Sequence, residues 1–261
     1  MYLIIKNTMK KIILSLSLFS MTMIFGSMIP FDSNIPLNIE NVLDSDQITV
    51  KRKLGSFDKI SAGGAVSIKI VDGNYNGEIT ITGSAETLET LKTIVTNNTL
   101  EIGRDFKRKF GLKSKNNGNV EITIPHRKLR SLKLSGASNL TAKHNLKVEE
   151  FMLDLSGASN ANLNLLADKI NVDLSGASKA VFEGNAQKLN LDLSGASSLN
   201  AIDLKVSAIN FDVSGASNLK VWAVNALKGS VSGASSVKYK EVANLKMQVD
   251  TSGASSIKIY K

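Results

Sequence analysis

Residues 151–178 read FMLDLSGASNANLNLLADKINVDLSGAS, two copies of Ser-Gly-Ala-Ser, each preceded by alternating apolar and polar residues. The tetrapeptide occurs seven times, beginning at Ser135, Ser156, Ser175, Ser194, Ser214, Ser232 and Ser252. The offsets are 21, 19, 19, 20, 18 and 20 residues, so the period is close to 20. Self-similarity at this period marks a solenoid, in which each repeat buries its apolar face only against its neighbours.

Aligning the copies on their first Ser exposes the register. One residue before it stand Leu134, Leu155, Leu174, Leu193, Val213, Val231 and Thr251. Three before stand Leu132, Leu153, Val172, Leu191, Phe211, Gly229 and Val249, and five before Arg130, Phe151, Ile170, Leu189, Ile209, Leu227 and Met247. The intervening positions are polar, as in Asn171/Asp173, Asn190/Asp192 and Asn210/Asp212. After the motif the alternation resumes with Leu140, Ala161, Ala180, Leu199, Leu219, Val237 and Ile257. A period of two means strand. Each repeat therefore reads as a strand, a bend at Ser-Gly-Ala-Ser, a second strand and a turn. Coils of about 20 residues with like residues stacked at roughly 4.8 Å form a parallel β-helix, an all-β solenoid. In this reading Gly supplies the unusual backbone of the bend, Ala leaves room inside, and stacked Ser hydroxyls bond along the ladder. A leucine-rich horseshoe lacks support, because its Leu/Asn signature and helical half-repeat are missing.

Composition narrows the chemistry. The chain has 261 residues, 43% of them hydrophobic but only 5% aromatic, which suits a narrow core of Leu, Ile, Val and Ala. With no Cys there is no disulfide, thiolate nucleophile or thiolate metal site. His126 and His144 are the only histidines and cannot build a multi-His metal site. No cofactor is implied.

Residues 1–27 read as an export signal peptide: Lys10 and Lys11 precede an apolar run from Ile12 to Ile29. An uncleaved anchor is the competing reading, since that run is about the minimum to span a bilayer. A leader ending at Ser27 takes Lys6, Lys10 and Lys11 with it. The charge then falls from +9 to +6, with 29 basic against 23 acidic residues. The mature protein is expected in the periplasm, at the outer-membrane surface or outside the cell. Residues 28–50, with Pro30 and Pro36, read as a linker. Residues 51–128 form an N-terminal β part with strands at Val66–Ile70, Ile79–Ile81, Leu100–Ile102 and Val120–Ile124. One short helix follows Ser84 as N-cap, with Leu88 and Leu91 facing inward. Residues 129–261 are the repeats.

The opening Phe57-Asp-Lys-Ile-Ser-Ala-Gly-Gly-Ala-Val-Ser-Ile-Lys-Ile70, then Ile79-Thr-Ile-Thr-Gly83, Leu100-Glu-Ile102 and the Leu-Ser-Gly-Ala-Ser units resemble a known family. It is the putative autotransporter adhesin, head GIN domain family, a domain of unknown function of Bacteroidetes-type bacteria. The resemblance covers about Phe57 to Lys261. It implies a right-handed, single-stranded parallel β-helix, exported and often surface-associated, and brings no catalytic residues; right-handedness also follows the crossover rule.

Several residues are candidate binding groups. A basic loop from Arg104 to Gly118 carries Arg104, Lys107, Arg108, Lys109, Lys113 and Lys115 against one acid, Asp105. It is a candidate grip for an anionic ligand, but one loop lacks the stacking platform of a nucleic-acid binder, and a solvated loop is the plainer reading. Asp154, Asp173, Asp192 and Asp212 fall on one outward ladder, where mutual repulsion raises pKa values or invites a cation such as Ca²⁺. Neighbouring polar groups and solvent dissipating the charge is the alternative. Asn171, Asn190 and Asn210 are expected to stack amide on amide. Trp222 and Tyr239 are the outward aromatics of the repeats. A Ser hydrolase is not indicated, because no Gly-x-Ser-x-Gly elbow is present. The last strand ends near Lys261 with no capping helix, so an open edge with Lys238, Lys240, Lys258 and Lys261 as gatekeepers is expected, and with it a route to homo-oligomers. The expected function is a non-enzymatic envelope module that binds a glycan or a host or envelope surface component. A self-assembling scaffold and a polysaccharide-active enzyme are the alternatives; nucleic acid is not an expected partner.

Overall fold

At each Ser-Gly-Ala-Ser the chain turns through a glycine in the left-handed region, with φ between +70° and +74° from Gly136 to Gly253. Only glycine takes this conformation without strain. Successive bends touch: Ala177 N–H donates to Gly157 O and Ala196 N–H to Gly176 O, both at 2.7 Å. A Cβ on Gly176 would sit 2.7 Å from Gly157 O, closer than real Cβ atoms approach. The glycine thus serves both the turn and the contact between coils.

The structure, a computed structural model, describes residues 47–104 and 119–261. From these bends hang five long strands, β9 (Asn139–Leu155), β10 (Asn160–Leu174), β11 (Lys179–Leu193), β12 (Ser198–Val213) and β13 (Asn218–Val231). All pair in parallel with register kept across the motif, as in Asp154↔Asp173↔Asp192↔Asp212. Each coil is one strand from bend to bend, bulged rather than broken by a turn. The varying repeat length is absorbed in the register shifts: Leu163/Asn164 against β9, Val181/Glu183 against β12, and Ala201/Lys205 and Val206/Ala208 between β12 and β13. Shorter strands β14 (Ser236–Tyr239), β15 (Lys246–Thr251) and β16 (Ser256–Ile259) complete a β-solenoid of about six turns. The inward columns are buried: Leu134, Leu155, Leu174, Leu193, Val213 and Val231 lie one over another, as do Phe151, Ile170, Leu189, Ile209 and Leu227. Each such side chain contributes about 1.5–3 kcal/mol by leaving water.

The structure corrects three details of the sequence reading. The Ala of the motif is exposed, and the second Ser is the inward residue, buried from Ser138 to Ser235. The second Ser also closes its own bend, Ser159 Oγ donating to Ser156 O at 2.9 Å and Ser178 Oγ to Ser175 O at 2.7 Å, while hydroxyls bond along the ladder as expected, Ser175 Oγ to Leu155 O at 3.4 Å and Ser197 Oγ to Leu174 O at 3.0 Å. Arg130 points outward to Asp58 (Nε to Oδ2 2.9 Å), and Leu129 fills the interior. Tyr239 pairs with Val221 and packs partly buried at the end of an inward column, so it is not an outward aromatic. Gly229 stands where other coils place a large apolar residue. A Cβ there would fall on the Phe211 carbonyl and ring, so Phe211 occupies the room for both.

The N-terminal coils do not stack in chain order. β2 (Lys59–Ala62) and β3 (Val66–Val71) flank Gly63-Gly64, a degenerate bend under Gly136. Above them pair β8 (Ser131–Leu134) and β9; on their other side lie β6 (Thr99–Arg104) and β7 (Val120–Pro125). The chain doubles back through β5 (Leu91–Thr96), joined to β6 by a hairpin at Asn97-Asn98, both at positive φ. Two such residues match the twist of a two-residue hairpin. β4 (Glu78–Ser84) and β1 (Gln47–Lys53) then cover β7 with antiparallel pairing, protecting that end of the sheet. β1 starts inside the stretch read as linker. Helix α1 (Ala85–Thr90) begins as expected at Ser84, whose Oγ accepts from Thr87 N–H at 3.3 Å, with Leu88 and Leu91 buried.

Replacing Gly176 by Ala is expected to cost about 2–4 kcal/mol, since both φ and the contact with Gly157 forbid a side chain. Ala177→Ser, one residue on and exposed, should change stability by less than about 0.5 kcal/mol. Midpoints of urea unfolding compare the two.

Candidate functional site

Because equivalent residues stack, each outward position becomes a column along the solenoid. The acidic column runs Lys133, Asp154, Asp173, Asp192, Asp212, Ser230 and Asp250, all in register. The run from Asp154 to Asp212 is partnered at both ends: Lys133 Nζ lies 2.7 Å from Asp154 Oδ2, and Ser230 Oγ donates to Asp212 Oδ1 at 2.9 Å. The middle is not. Partial burial, with Asp154 and Asp192 on either side, holds the Asp173 carboxyl above its ordinary value, opposed by Lys133. One carboxylate per coil spreads oxygens along a line, whereas a hard cation wants several at a point. Among the described residues no three His, Asp or Glu side chains are grouped to hold a metal ion.

Beside this column the amides form the expected ladder. Asn190 Nδ2 donates to Asn171 Oδ1 at 2.8 Å and Asn210 Nδ2 to Asn190 Oδ1 at 3.1 Å. Asn171 Nδ2 donates in turn to Glu150 Oε1, which Lys169 also meets at 2.8 Å. These bonds lower the Glu150 carboxyl, Lys169 first.

On the other side of the bend, toward the C-terminal coils, lies a face the sequence did not single out. Asn218, Ser236 and Ser256 form one column and Lys220, Lys238 and Lys258 the next. Trp222, Lys240 and Tyr260 form a third, since Lys240 N–H donates to Val221 O and Tyr260 N–H to Tyr239 O. Lys240 Nζ lies 4.0 Å from the Trp222 ring centroid and Lys205 Nζ 5.8 Å; Lys220 Nζ lies 5.4 Å from that of Tyr260. Lys238 and Lys258 thus project from a sheet face. The period-two alternation contains this column, but by itself it marks Lys238 and Lys258 only as guards of a sheet edge.

Of the basic loop, only Arg104 belongs to the described residues; Lys107, Arg108, Lys109, Lys113 and Lys115 lie outside them. Arg104 donates to Ala65 O at 3.4 Å beside the Gly63-Gly64 bend. The signal-peptide reading of residues 1–27 also lies outside the described residues. No helix among those described is long and apolar enough to cross a membrane.

The two histidines are structural in placement. His126 is buried; its Nδ1 accepts from Lys128 N–H at 3.1 Å, so Nε2 donates to Phe57 O at 2.8 Å. Burial pushes its pKa below the ordinary value. His144 Nε2 meets His126 O at 2.8 Å and borders a small polar cavity with Asp72 and Arg127. A groove of about 490 Å³ is lined by Val148, Leu166, Ala167 and Ala186 together with Lys128 and Lys147.

Residues 56–243 match the family described as putative auto-transporter adhesin, head GIN domain. Solved structures share the fold, among them three from Bacteroides and Parabacteroides. A putative adhesin from Bacteroides fragilis is 24% identical with TM-score 0.70, over 82% of this chain and 97% of that one. A putative lipid binding protein from Parabacteroides distasonis is 17% identical with TM-score 0.65, over 84% and 98%. A putative adhesin from Parabacteroides merdae is 18% identical with TM-score 0.63, over 84% and 98%. No curated protein matches.

Asp173→Asn tests the acidic column. A carboxyl whose pKa is raised on folding is best tolerated below its unfolded pKa and costs stability as pH rises through the folded one. Removing the charge is expected to raise Tm at pH 7 by about 1–2 °C, a gain that vanishes near pH 3. A fall in Tm confined to Ca²⁺-containing buffer would instead mark a bridging cation.

Proposed function

Because the chain belongs to the head GIN domain family of putative auto-transporter adhesins, we propose that it is an exported, non-enzymatic binding module of the bacterial cell envelope. Its ligand is a glycan or a host or envelope surface component. One observation supports this reading above the rest: outward side chains repeat coil after coil in straight columns instead of converging in a cleft. Repeated groups on a rigid sheet suit an extended, repetitive partner, whereas glycoside chemistry needs two carboxyl groups flanking one bond. The export assignment uses residues 1–27 as a leader and the period-20 region as the working body.

A specific feature favours self-assembly as the second reading. In the last described coil Met247 of β15 and Ile259 of β16 are each 41% exposed, while Val249 and Ile257 pack against the core. An unpaired coil edge is a template for another chain.

An array of glycans and host-matrix proteins probed with the mature chain is expected to show binding to at least one class. Arg108→Glu with Lys109→Glu should weaken it if the 104–118 loop takes part. Absence of binding together with release of oligosaccharide from a polysaccharide would replace this reading by an enzyme. A sedimentation coefficient that grows with concentration would favour the scaffold.

A further inference from the structure

Six ion pairs are formed among the described residues, and every basic partner lies at or before Lys169. Beyond it no described lysine has a carboxylate partner. Yet 201–261 contains eight lysines against four acids, and two of those acids, Asp212 and Asp250, stand on the opposite side of the bend. Lys228 stands with them on that side, and Lys220, Lys238 and Lys258 line up on the other.

The stacking puts these three cations on a line. Adjacent strands set them roughly 4.8 Å apart, parallel to the solenoid axis. Like charges at that spacing repel, and nothing in the fold requires three in succession: the corresponding position in the preceding coils is Thr141, Asn162, Val181 and Asn200, with a single Lys69 before them. Their ammonium neighbours are held by rings rather than by acids. Lys240 and Lys205 lie over Trp222, and Lys220 over Tyr260, contacts that position a cation while leaving its charge unneutralised. Lys240 Nζ is fixed further by donating to Ile202 O at 3.3 Å. Along the other flank run Asn218, Ser236 and Ser256, an amide and two hydroxyls.

We propose that this face binds a linear anionic polysaccharide, its carboxylates or sulfates meeting Lys220, Lys238 and Lys258 in succession and its hydroxyls meeting Asn218, Ser236 and Ser256. The inference rests on the binding-module reading and gives it a ligand class and a site. An extended polysaccharide advances by about one strand spacing per sugar, so a straight row of cations matches repeating anions on one edge of the polymer. A membrane fits less well. Interfacial binders present apolar side chains for insertion, whereas here the rings lie beneath ammonium groups and the flanking column is hydrogen-bonding.

The experiment compares the full chain with Lys220→Gln/Lys238→Gln/Lys258→Gln and with Lys128→Gln/Lys147→Gln/Lys188→Gln, which removes equal charge from other faces. Polygalacturonate and heparin are the anionic probes, dextran the neutral one. Vesicles of phosphatidylglycerol and phosphatidylcholine in equal parts form the membrane arm. The ladder variant is expected to lose about tenfold or more in affinity for at least one anionic glycan, with Tm little changed, because three charge contacts to the ligand are removed. The control variant should lose little, and dextran should not bind. Equal loss in both variants would overturn the assigned face, while leaving a binding module in place. Vesicle binding abolished by the ladder substitutions, without glycan binding, would overturn the ligand class. Failure of wild type on both anionic glycans would also overturn it, whereas the broader reading stands or falls on the array.

Discussion

Backbone contact between successive bends sets the geometry of everything else. Gly157, Gly176, Gly195, Gly215 and Gly233 each lie against the glycine below, bridged by an Ala N–H to Gly C=O bond of 2.7–2.8 Å. Because neither residue can shift without losing that bond, the coils are locked in register at one corner. Strands running from the corner inherit the register, and length differences are expelled to the bulges farther along. A coil of 18 residues and one of 21 can then stack with their Leu columns aligned.

The same lock makes the surface a set of multiplied choices. A residue placed outward once is a single group; placed outward in consecutive coils it is a line of like groups one strand spacing apart. Asparagines tolerate this because each amide donates to the coil before it and accepts from the coil after it. Carboxylates do so less readily, and the run from Asp154 to Asp212 is relieved at its ends by Lys133 and Ser230 while Asp173 stays strained between like charges. Lysines in a column repel as well, so a run of three whose near neighbours sit on aromatic rings is a costly surface unless a polyanion completes it.

Much of this was legible in the sequence, since a period of 20 combined with a period of two fixes fold class, inward columns and amide ladder together. Details decided by a single backbone angle were not. Whether Ala or the second Ser faces inward depends on the turn following the left-handed glycine, and alternation fails across a bend. Arg130 occupied an apolar column by count, but Leu129 takes its place inside because Asp58 holds the guanidinium outside. The N-terminal order, with β6 and β7 on the far side of β2 and β3, is a long-range choice with no local signal apart from Asn97-Asn98. The Lys220 column was present in the alignment, yet its meaning depended on which carboxylates stood near it in space.

In-register stacking is tested most directly by cysteine pairs, which this chain reports cleanly because it has no Cys of its own. Ala158 and Ala177 are exposed and occupy equivalent positions in adjacent coils. At about one strand spacing their Cα atoms fall within the range a disulfide spans, whereas Ala158 and Ala196 are two coils apart. Mild oxidation of Ala158→Cys/Ala177→Cys is predicted to give an intramolecular disulfide with no free thiol, while Ala158→Cys/Ala196→Cys keeps both thiols. Free thiols in the first variant, or a bridge in the second, would contradict the stacking on which the columns depend.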